Sequence, residues 1–439
     1  MIALEMPFSG LPAWAETLFY AVFVLIVLVW LWTLVLFVLS RRALGSAPDP
    51  DVEARDTLLW VFLVPALNEE VTIADSVSRL LAVEARNKAI LVIDDGSTDG
   101  TATVLDPFDT PELEVLHRAA PDARQGKHAA LNAAWRHLDR TLSTGRWSGW
   151  PRDRVIVCVV DADGRLDPSS PRVAAAHFTD DRVGGLQVLV RIYNRSRALT
   201  WCQDVEFSIF GLLYQAGRTP YGAAAMGGNG QFNRLSALDE IVDEDVGGPW
   251  RARLTEDQDL GLHLIEAGWR SVADARATVD QQGLPGFRGL LRQRTRWAQG
   301  NLQAMQHIGR MAGVRRPILV RADQIAYLLQ PVLQALVGVA FIASILLAIF
   351  DVADFWGHGG WWQLLFFFLL GYGGILLGCV ARGARTGARG VLLGILIVPV
   401  YAAYSWLLWP VLARAAARQV TGRREWKKTA REQIGDAAS

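Results

Sequence analysis

Cysteine is scarce. Cys158, Cys202 and Cys379 are the only three in 439 residues, and none stands in a CxxC or Cys/His ligand spacing, so neither a disulfide framework nor a zinc site is expected. A reducing compartment for the soluble part is the simplest reading. Net charge is lacking as well: 44 Lys and Arg balance 44 Asp and Glu. With no basic patch interleaved by aromatics outside the membrane flanks, the chain is not expected to bind nucleic acid. There is no GxGxxG after a strand and no GxxxxGK[ST], because Pro121 stands where a P-loop would need its first glycine ahead of Gly126-Lys127. Dinucleotide and P-loop chemistry are set aside on that ground. Repeats and low-complexity tracts are also missing. Apolar residues are what abound, 51% against 20% charged. They concentrate near the N-terminus and in roughly the last 120 residues, leaving ordinary globular composition between.

Leu18 to Leu39 is an unbroken apolar run, long enough at ~1.5 Å per residue to cross a ~30 Å hydrocarbon core. Glu5 and Glu16 precede it in place of a basic n-region and no small-residue cleavage site follows, which argues against a signal peptide. Arg41 and Arg42 follow directly, so the positive-inside rule puts the large domain in the cytoplasm of a bacterial-type plasma membrane. Three later runs, 325–350, 362–380 and 391–412, are further candidates. The connection 351–360 has no Lys or Arg, whereas Arg382, Arg385 and Arg389 mark the next one as inside. Strict alternation would then send the basic tail, Arg414 to Arg431, outside. One late segment, with Pro399 and Pro410, is therefore expected to be broken, re-entrant or interfacial, and three or four crossings are expected. The resulting division is a membrane helix at 1–42, a linker at 43–56, a soluble domain at 57–283, amphipathic interfacial helices at 284–320, a membrane region at 321–413 and a basic tail at 414–439.

The soluble part reads as α/β. Thr57 to Pro65, Ala89 to Ile93 and Val155 to Val160 are short apolar runs, each ending in a polar or acidic loop, and the first is followed by an amphipathic stretch through Leu81. Buried strands of this kind predict a largely parallel, doubly wound sheet that binds ligands beyond the strands' carboxyl ends. Asp161-Ala162-Asp163 places two carboxylates at such an end, where they can share a hard divalent cation that also grips a diphosphate; a solvated turn is the bland alternative. Asp94-Asp95-Gly96-Ser97 is turn chemistry or a second polar site. Glu256, Asp257 and Asp259 open an apolar helical pattern, as a dipole-favoured surface cluster or as the location of a general base. Gln293 to Trp297 lies in a basic amphipathic stretch suited to a membrane surface, in which Arg296 could neutralise a phosphate and Trp297 could stack on a sugar.

In this order, Val64-Pro65-Ala66-Leu67-Asn68-Glu69-Glu70, Asp94-Asp95-Gly96-Ser97, Gly126-Lys127-His128-Ala129-Ala130-Leu131-Asn132, Asp161-Ala162-Asp163, Thr255-Glu256-Asp257 and Gln293-Arg294-Thr295-Arg296-Trp297 resemble the inverting, membrane-embedded family 2 glycosyltransferases of GT-A fold. The resemblance covers about residues 57–310. It takes in synthases of cellulose, hyaluronan, chitin and poly-N-acetylglucosamine, and through Gly227-Gly228-Asn229-Gly230-Gln231-Phe232 the bacterial glucosyl-diacylglycerol synthases. It implies a GT-A-type doubly wound mixed sheet with transmembrane helices, a UDP-sugar donor and Mg2+ or Mn2+. Pro65, Asn68, Glu69, Asp95, Lys127 and Asp161 would bind the nucleotide sugar, and Asp161 and Asp163 the metal. Asp257 would be the base, with Arg296 and Gln293 stabilising the leaving diphosphate. Trp297, Gly228, Asn229, Gln231 and Glu256 would meet the acceptor. The expected product is a β-linked polysaccharide such as one built from glucose or N-acetylglucosamine, with a second copy or a translocation partner helping to export it. The alternative is a glycolipid made by adding one or two sugars to a membrane lipid such as diacylglycerol.

Overall fold

The computed structural model of the protein describes residues 11–350 and 361–422. Its soluble part is built on β1 (Leu59–Ala66), an apolar run because both of its faces are covered. Trp60, Phe62 and Val64 pack on one side with Ile73, Val77 and Leu80 of helix Ile73–Leu81. Leu59, Val61 and Leu63 pack on the other with Leu131, Ala134 and Leu138 of helix Lys127–Thr144. The period of two therefore serves two cores, and each fully buried large side chain contributes roughly 1.5–3 kcal/mol.

β1 is flanked in parallel by β2 (Lys88–Asp94) and β4 (Val155–Val159), and β3 (Leu113–His117) extends that side. Beyond β4 the sheet turns mixed. β5 (Arg165–Leu166), β6 (Val183–Ile192), β7 (Gln231–Arg234) and β8 (Arg270–Gln281) complete the order β3-β2-β1-β4-β7-β6-β8-β5. β7 runs antiparallel to both β4 and β6, while β6 and β8 are parallel. Register places the acidic loops at one edge: Ala66 lies opposite Asp94, and Leu63 opposite Val159. The chain after β1, β2 and β4 therefore emerges side by side. Gln231 pairs with Val159, which brings Gly227 to Gly230 to the same edge.

Helix Ala13–Gly45 is 33 residues long, about 50 Å at 1.5 Å per residue. It leaves Leu18, Val24, Leu28, Leu31, Val35 and Val38 exposed while Phe19, Val22 and Leu36 pack inward, the pattern of a lipid-facing helix. Part of the stretch expected as linker is helical, because this helix runs on to Gly45 and a short helix spans Val52–Asp56, where the Asp51 side chain caps the Ala54 amide. Among the described residues two helices are long and apolar enough to cross a membrane, Ala13–Gly45 and Ile318–Leu347. A third span arises if Ala388–Leu396 and Val398–Val420 act as one, though they meet at 44°. The break falls in the proline-containing run expected to be irregular. The connection 351–360 and most of the basic tail, from 423 on, lie outside the described residues.

A buried ion pair ties the membrane helices to the domain. Asp323, near the start of helix Ile318–Ile349, accepts from Arg218 Nε at 2.7 Å and Nη2 at 3.0 Å. Tyr221 and the Trp32 indole of the first membrane helix also donate to this carboxylate. Three elements distant in sequence thus share one acceptor, and its charge is fully partnered away from water.

Candidate active site

The loops after β1 and β2 are laced together. The Asn68 amide donates to Ser97 Oγ at 2.9 Å, and Asn68 Oδ1 accepts from the Thr98 amide at 2.8 Å. Asn68 holds this position with φ of 55°, a left-handed conformation that asparagine tolerates. The Glu69 amide donates to Thr101 Oγ1, and Glu70 accepts from the Gly100 amide. These bonds give Asn68 a role in fixing the loop. A pocket next to it is lined by Pro65, Ala66, Leu67, Glu69, Asp95, Arg124, Gly126, Lys127 and Ala130. Of the residues expected around a nucleotide sugar, Pro65, Glu69, Asp95 and Lys127 share this pocket; Asn68 lies between its lining residues Leu67 and Glu69, and Asp161 borders it through its bond to Lys127.

Asp95 is buried, and Arg118 donates to its Oδ1. Burial raises the Asp95 carboxyl above its ordinary value, against the pull of the Arg124 backbone and Arg118. Arg118 and Arg124 were not anticipated from the sequence. Both lie in the stretch just before Gly126, and Arg124 folds over to donate twice to the Gly96 carbonyl. Gly126, with φ of 106°, starts helix Lys127–Thr144 from a conformation closed to other residues.

Lys127 Nζ lies 2.6 Å from Asp161 Oδ1 and 3.6 Å from Glu256 Oε1. Burial pulls its pKa down, but Asp161, Glu256 and Asp257 outweigh that and hold it above the ordinary lysine value. Asp161, Glu256 and Asp257 thus surround a fixed cation. The Asp161 amide donates to Asn229 Oδ1 at 3.1 Å, and Asp163 Oδ2 accepts from the Gln282 amide at 3.0 Å. This anchors the D-x-D turn to the loop before β7 and to the end of β8.

The glycine segment Gly227–Gly230 meets the site through its backbone. Asn229 and Gln231, expected to meet the acceptor, are 2% and 1% exposed. Asn229 Nδ2 donates to Gln281, Gln231 Nε2 to Asn233, and the buried Gln187 bonds both the Gly227 amide and the Asn229 carbonyl. Gln187 is a supporting residue that nothing in its apolar strand context announces. Gly228 is different: φ is 79°, and a Cβ there would lie 2.7 Å from Asp257 Oδ2. Only glycine leaves the Asp257 carboxylate its place. Gly228→Ala is expected to lower kcat about 10²-fold by displacing that group with much less change in donor KM; steady-state kinetics checks this.

Asp257 opens helix Glu256–Glu266, and its Oδ1 accepts from the Gln258 amide at 2.8 Å. Burial and then the Glu256 charge raise its pKa to about 6, while Lys127 and Arg296 oppose the shift. In the role of base that the resemblance implies, Asp257 would act only when ionised. The acid limb of kcat/KM is therefore expected to fall about tenfold per pH unit below pH 6 and to be flat above it. A pH-rate profile whose limb lies at the ordinary aspartate value would contradict this.

The basic helix Phe287–Ala304 borders the same region. Arg296 Nη1 reaches the Leu254 carbonyl at 3.5 Å. Gln293 accepts from Arg294, and Arg294 also donates to Glu206, which accepts from Tyr404 of the C-terminal membrane region. Trp297 packs edge-on to Phe207, with the Arg294 guanidinium 4.2 Å from its ring centre. One indole face is thereby occupied within the protein. Arg294 and Glu206 lock this helix, a role visible only once Glu206 is brought across from helix Ala198–Ile209.

Residues 60–300 match the family described as Glycosyltransferase like family 2, and the chain belongs to that family. It is 29% identical over 288 residues to the beta-monoglucosyldiacylglycerol synthase of Synechocystis sp., covering 63% of this chain and 56% of that one. It is 27% identical over 301 residues to the poly-beta-1,6-N-acetyl-D-glucosamine synthase of Staphylococcus aureus, covering 66% and 65%. The chain thus spans between half and two thirds of the length of these relatives. Its fold is similar to that of a mannosyltransferase from Pyrobaculum calidifontis solved with GDP-Man and Mn2+, with a TM-score of 0.58 at 19% identity over 93% of this chain and 99% of that one. The mixed sheet is of the GT-A type.

Proposed function

We propose that the protein is an inverting hexosyltransferase that takes a sugar from a nucleotide diphosphate donor, UDP-glucose or UDP-N-acetylglucosamine, and delivers it to an acceptor hydroxyl at the cytoplasmic face of the membrane. One observation carries this reading: the pocket at the ends of β1 and β2 adjoins, through Lys127, the Asp257 carboxylate, which is held against Gly228. The relatives and the arginines after the first membrane helix support it.

The D-x-D carboxylates fit a hard divalent ion, since both are oxygen donors at one strand end and the pocket already stabilises a cation at Asp161. Asp161 and Asp163 would hold Mg2+ or Mn2+, which when bound supplies positive charge beside the leaving diphosphate. Lys127 and Arg296 add fixed charge on the same side, and electrostatic preorganisation of this kind is usually the largest catalytic term. Asp257 accepts the acceptor's proton as its oxygen bonds to the anomeric carbon. The bond to the diphosphate breaks on the opposite face, so the configuration inverts.

Two acceptors suit this chemistry, a growing polysaccharide and a lipid such as diacylglycerol. The lipid reading is supported by the likeness to the beta-monoglucosyldiacylglycerol synthase of Synechocystis sp.; a polymer would call on a second copy or a translocation partner for its export. Purified protein in lipid vesicles, given each radiolabelled UDP-sugar with Mn2+ or Mg2+, is expected to put label into the organic phase. Label in insoluble polymer would establish the polysaccharide product, and no label from any UDP-sugar would overturn the donor class. Asp163→Ala is expected to abolish the metal-dependent part of UDP binding; equal affinity with and without Mn2+ in wild type and variant would remove Asp163 from that role.

A further inference from the structure

Behind Asp257 on the same helix lies a buried cluster with no part in the chemistry above. Asp259, His263 and Glu266 are spaced four and three apart, so they share one helix face. His307 joins them from the short turn Met305–His307, which follows the basic helix. All of these side chains are shielded, with His307 fully buried.

The bonding pattern has a direction. Glu266 accepts from both imidazoles at Nδ1, from His263 at 3.0 Å and from His307 at 2.6 Å. One carboxylate thus fixes the tautomer and orientation of two histidines, and both Nε2 atoms face away from it toward Asp259. His307 Nε2 is 2.9 Å from Asp259 Oδ1, and His263 Nε2 is 3.5 Å from Asp259 Oδ2. Among the described residues, His263 Nε2 and Asp259 Oδ2 are buried without a hydrogen-bond partner. Two such orphans facing each other are costly unless something sits between them.

We infer that Asp259, His263 and His307 form a binding site for a borderline divalent transition ion of the zinc class, with Glu266 as the outer carboxylate that orients both imidazoles. The three ligand atoms lie within 4.8 Å of one another. An ion held at ~2.0–2.1 Å from each tetrahedrally placed ligand brings such atoms to about 3.4 Å apart, so small side-chain rotations close the site. A carboxylate behind each metal-bound histidine is the usual outer support. Imidazole nitrogens select zinc over Mg2+, which separates this site from the all-oxygen pair at Asp161 and Asp163. The surroundings include cations: Arg253 Nε lies 3.6 Å from Asp259 and Arg310 Nε 3.6 Å from Glu266, and Gln306 donates to Asp259 at 3.3 Å. Asp259 and Glu266 contribute two negative charges, so one divalent ion carries the same charge as the two protons that the histidines would otherwise need. The ion is structural. It pins helix Glu256–Glu266 to the turn joining the basic helix to the membrane region, and it does not rest on the catalytic reading.

The test uses untagged full-length protein in detergent, loaded with ZnCl2 and dialysed against a weak chelator, with metal counted by mass spectrometry. One zinc ion per chain is expected, retained in Asp163→Ala and lost from His263→Gln and His307→Gln. Should those variants fail to fold, CoCl2 exchanged into the wild type decides, because a cobalt ion bound here is expected to show the visible absorption of a low-coordinate nitrogen and oxygen site. Less than about a tenth of an equivalent of bound metal with no cobalt band would overturn the proposal and leave two imidazolium–carboxylate bridges. Full zinc retention in folded His263→Gln would overturn it as well.

Discussion

Asp257→Asn is expected to lower turnover by roughly 10²–10⁴-fold, the usual contribution of a positioned general base, while leaving donor affinity within a factor of a few. The substitution keeps the shape of the side chain, and an asparagine oxygen can still accept from the Gln258 amide. Lys127 keeps Asp161 and Glu256 as partners, so the donor side is undisturbed. What disappears is the carboxylate against Gly228 that can take a proton. Single-turnover transfer and UDP titration on the same preparation separate the two effects. Near-normal turnover would remove Asp257 from its role. A parallel loss of donor binding would mean that its charge serves chiefly to hold Lys127.

Arg218→Met is expected to destabilise the protein by roughly 3–5 kcal/mol, the cost of leaving one charge of a buried pair without its partner. Asp323 would retain Trp32 and Tyr221 as donors but no cation. The double variant Arg218→Met with Asp323→Leu is expected to recover much of the loss, because two apolar side chains can replace a buried pair at little cost. Recovery stays incomplete, since Trp32 and Tyr221 then lose their acceptor. Thermal inactivation in lipid nanodiscs reads both steps. Equal stability of wild type and single variant would show the pair to be hydrated in the membrane.

The parts of the fold legible in the sequence are those where burial is simplest. β1, β2 and β4 are covered on both faces, so they appear as apolar runs stopped by acidic loops, and the loops mark the site. β7 was hidden because its sequence, Gln-Phe-Asn-Arg, is polar. It is buried all the same: Arg234 donates to the Val183, Asp153, Phe178 and Asp180 carbonyls, a solution that no local pattern announces. β8 alternates polar and apolar residues and reads as a half-exposed strand, yet it lies between β6 and β5. In the site, Asp161, Asp163 and Asp257 stood out through spacing and resemblance. Asn229 and Gln231 enter as acceptor contacts only through the resemblance, and their side-chain amides bond Gln281 and Asn233. The histidine cluster could be only half seen, since His263 follows Asp259 by one turn while His307 arrives from across a helix boundary.

The bond between Gln258 and Tyr327 has a further meaning. Tyr327 lies one turn beyond Asp323 on the long membrane helix, and its hydroxyl accepts from Gln258, the residue after Asp257. The proposed base is therefore one residue from a direct contact with a helix long and apolar enough to cross a membrane. A substrate anchored by acyl chains searches a surface instead of a volume, and its hydroxyl needs to rise by little more than a headgroup to react. For the proposed lipid acceptor, local crowding in two dimensions would do the work of tight binding, and weak, readily reversed binding would be sufficient for turnover.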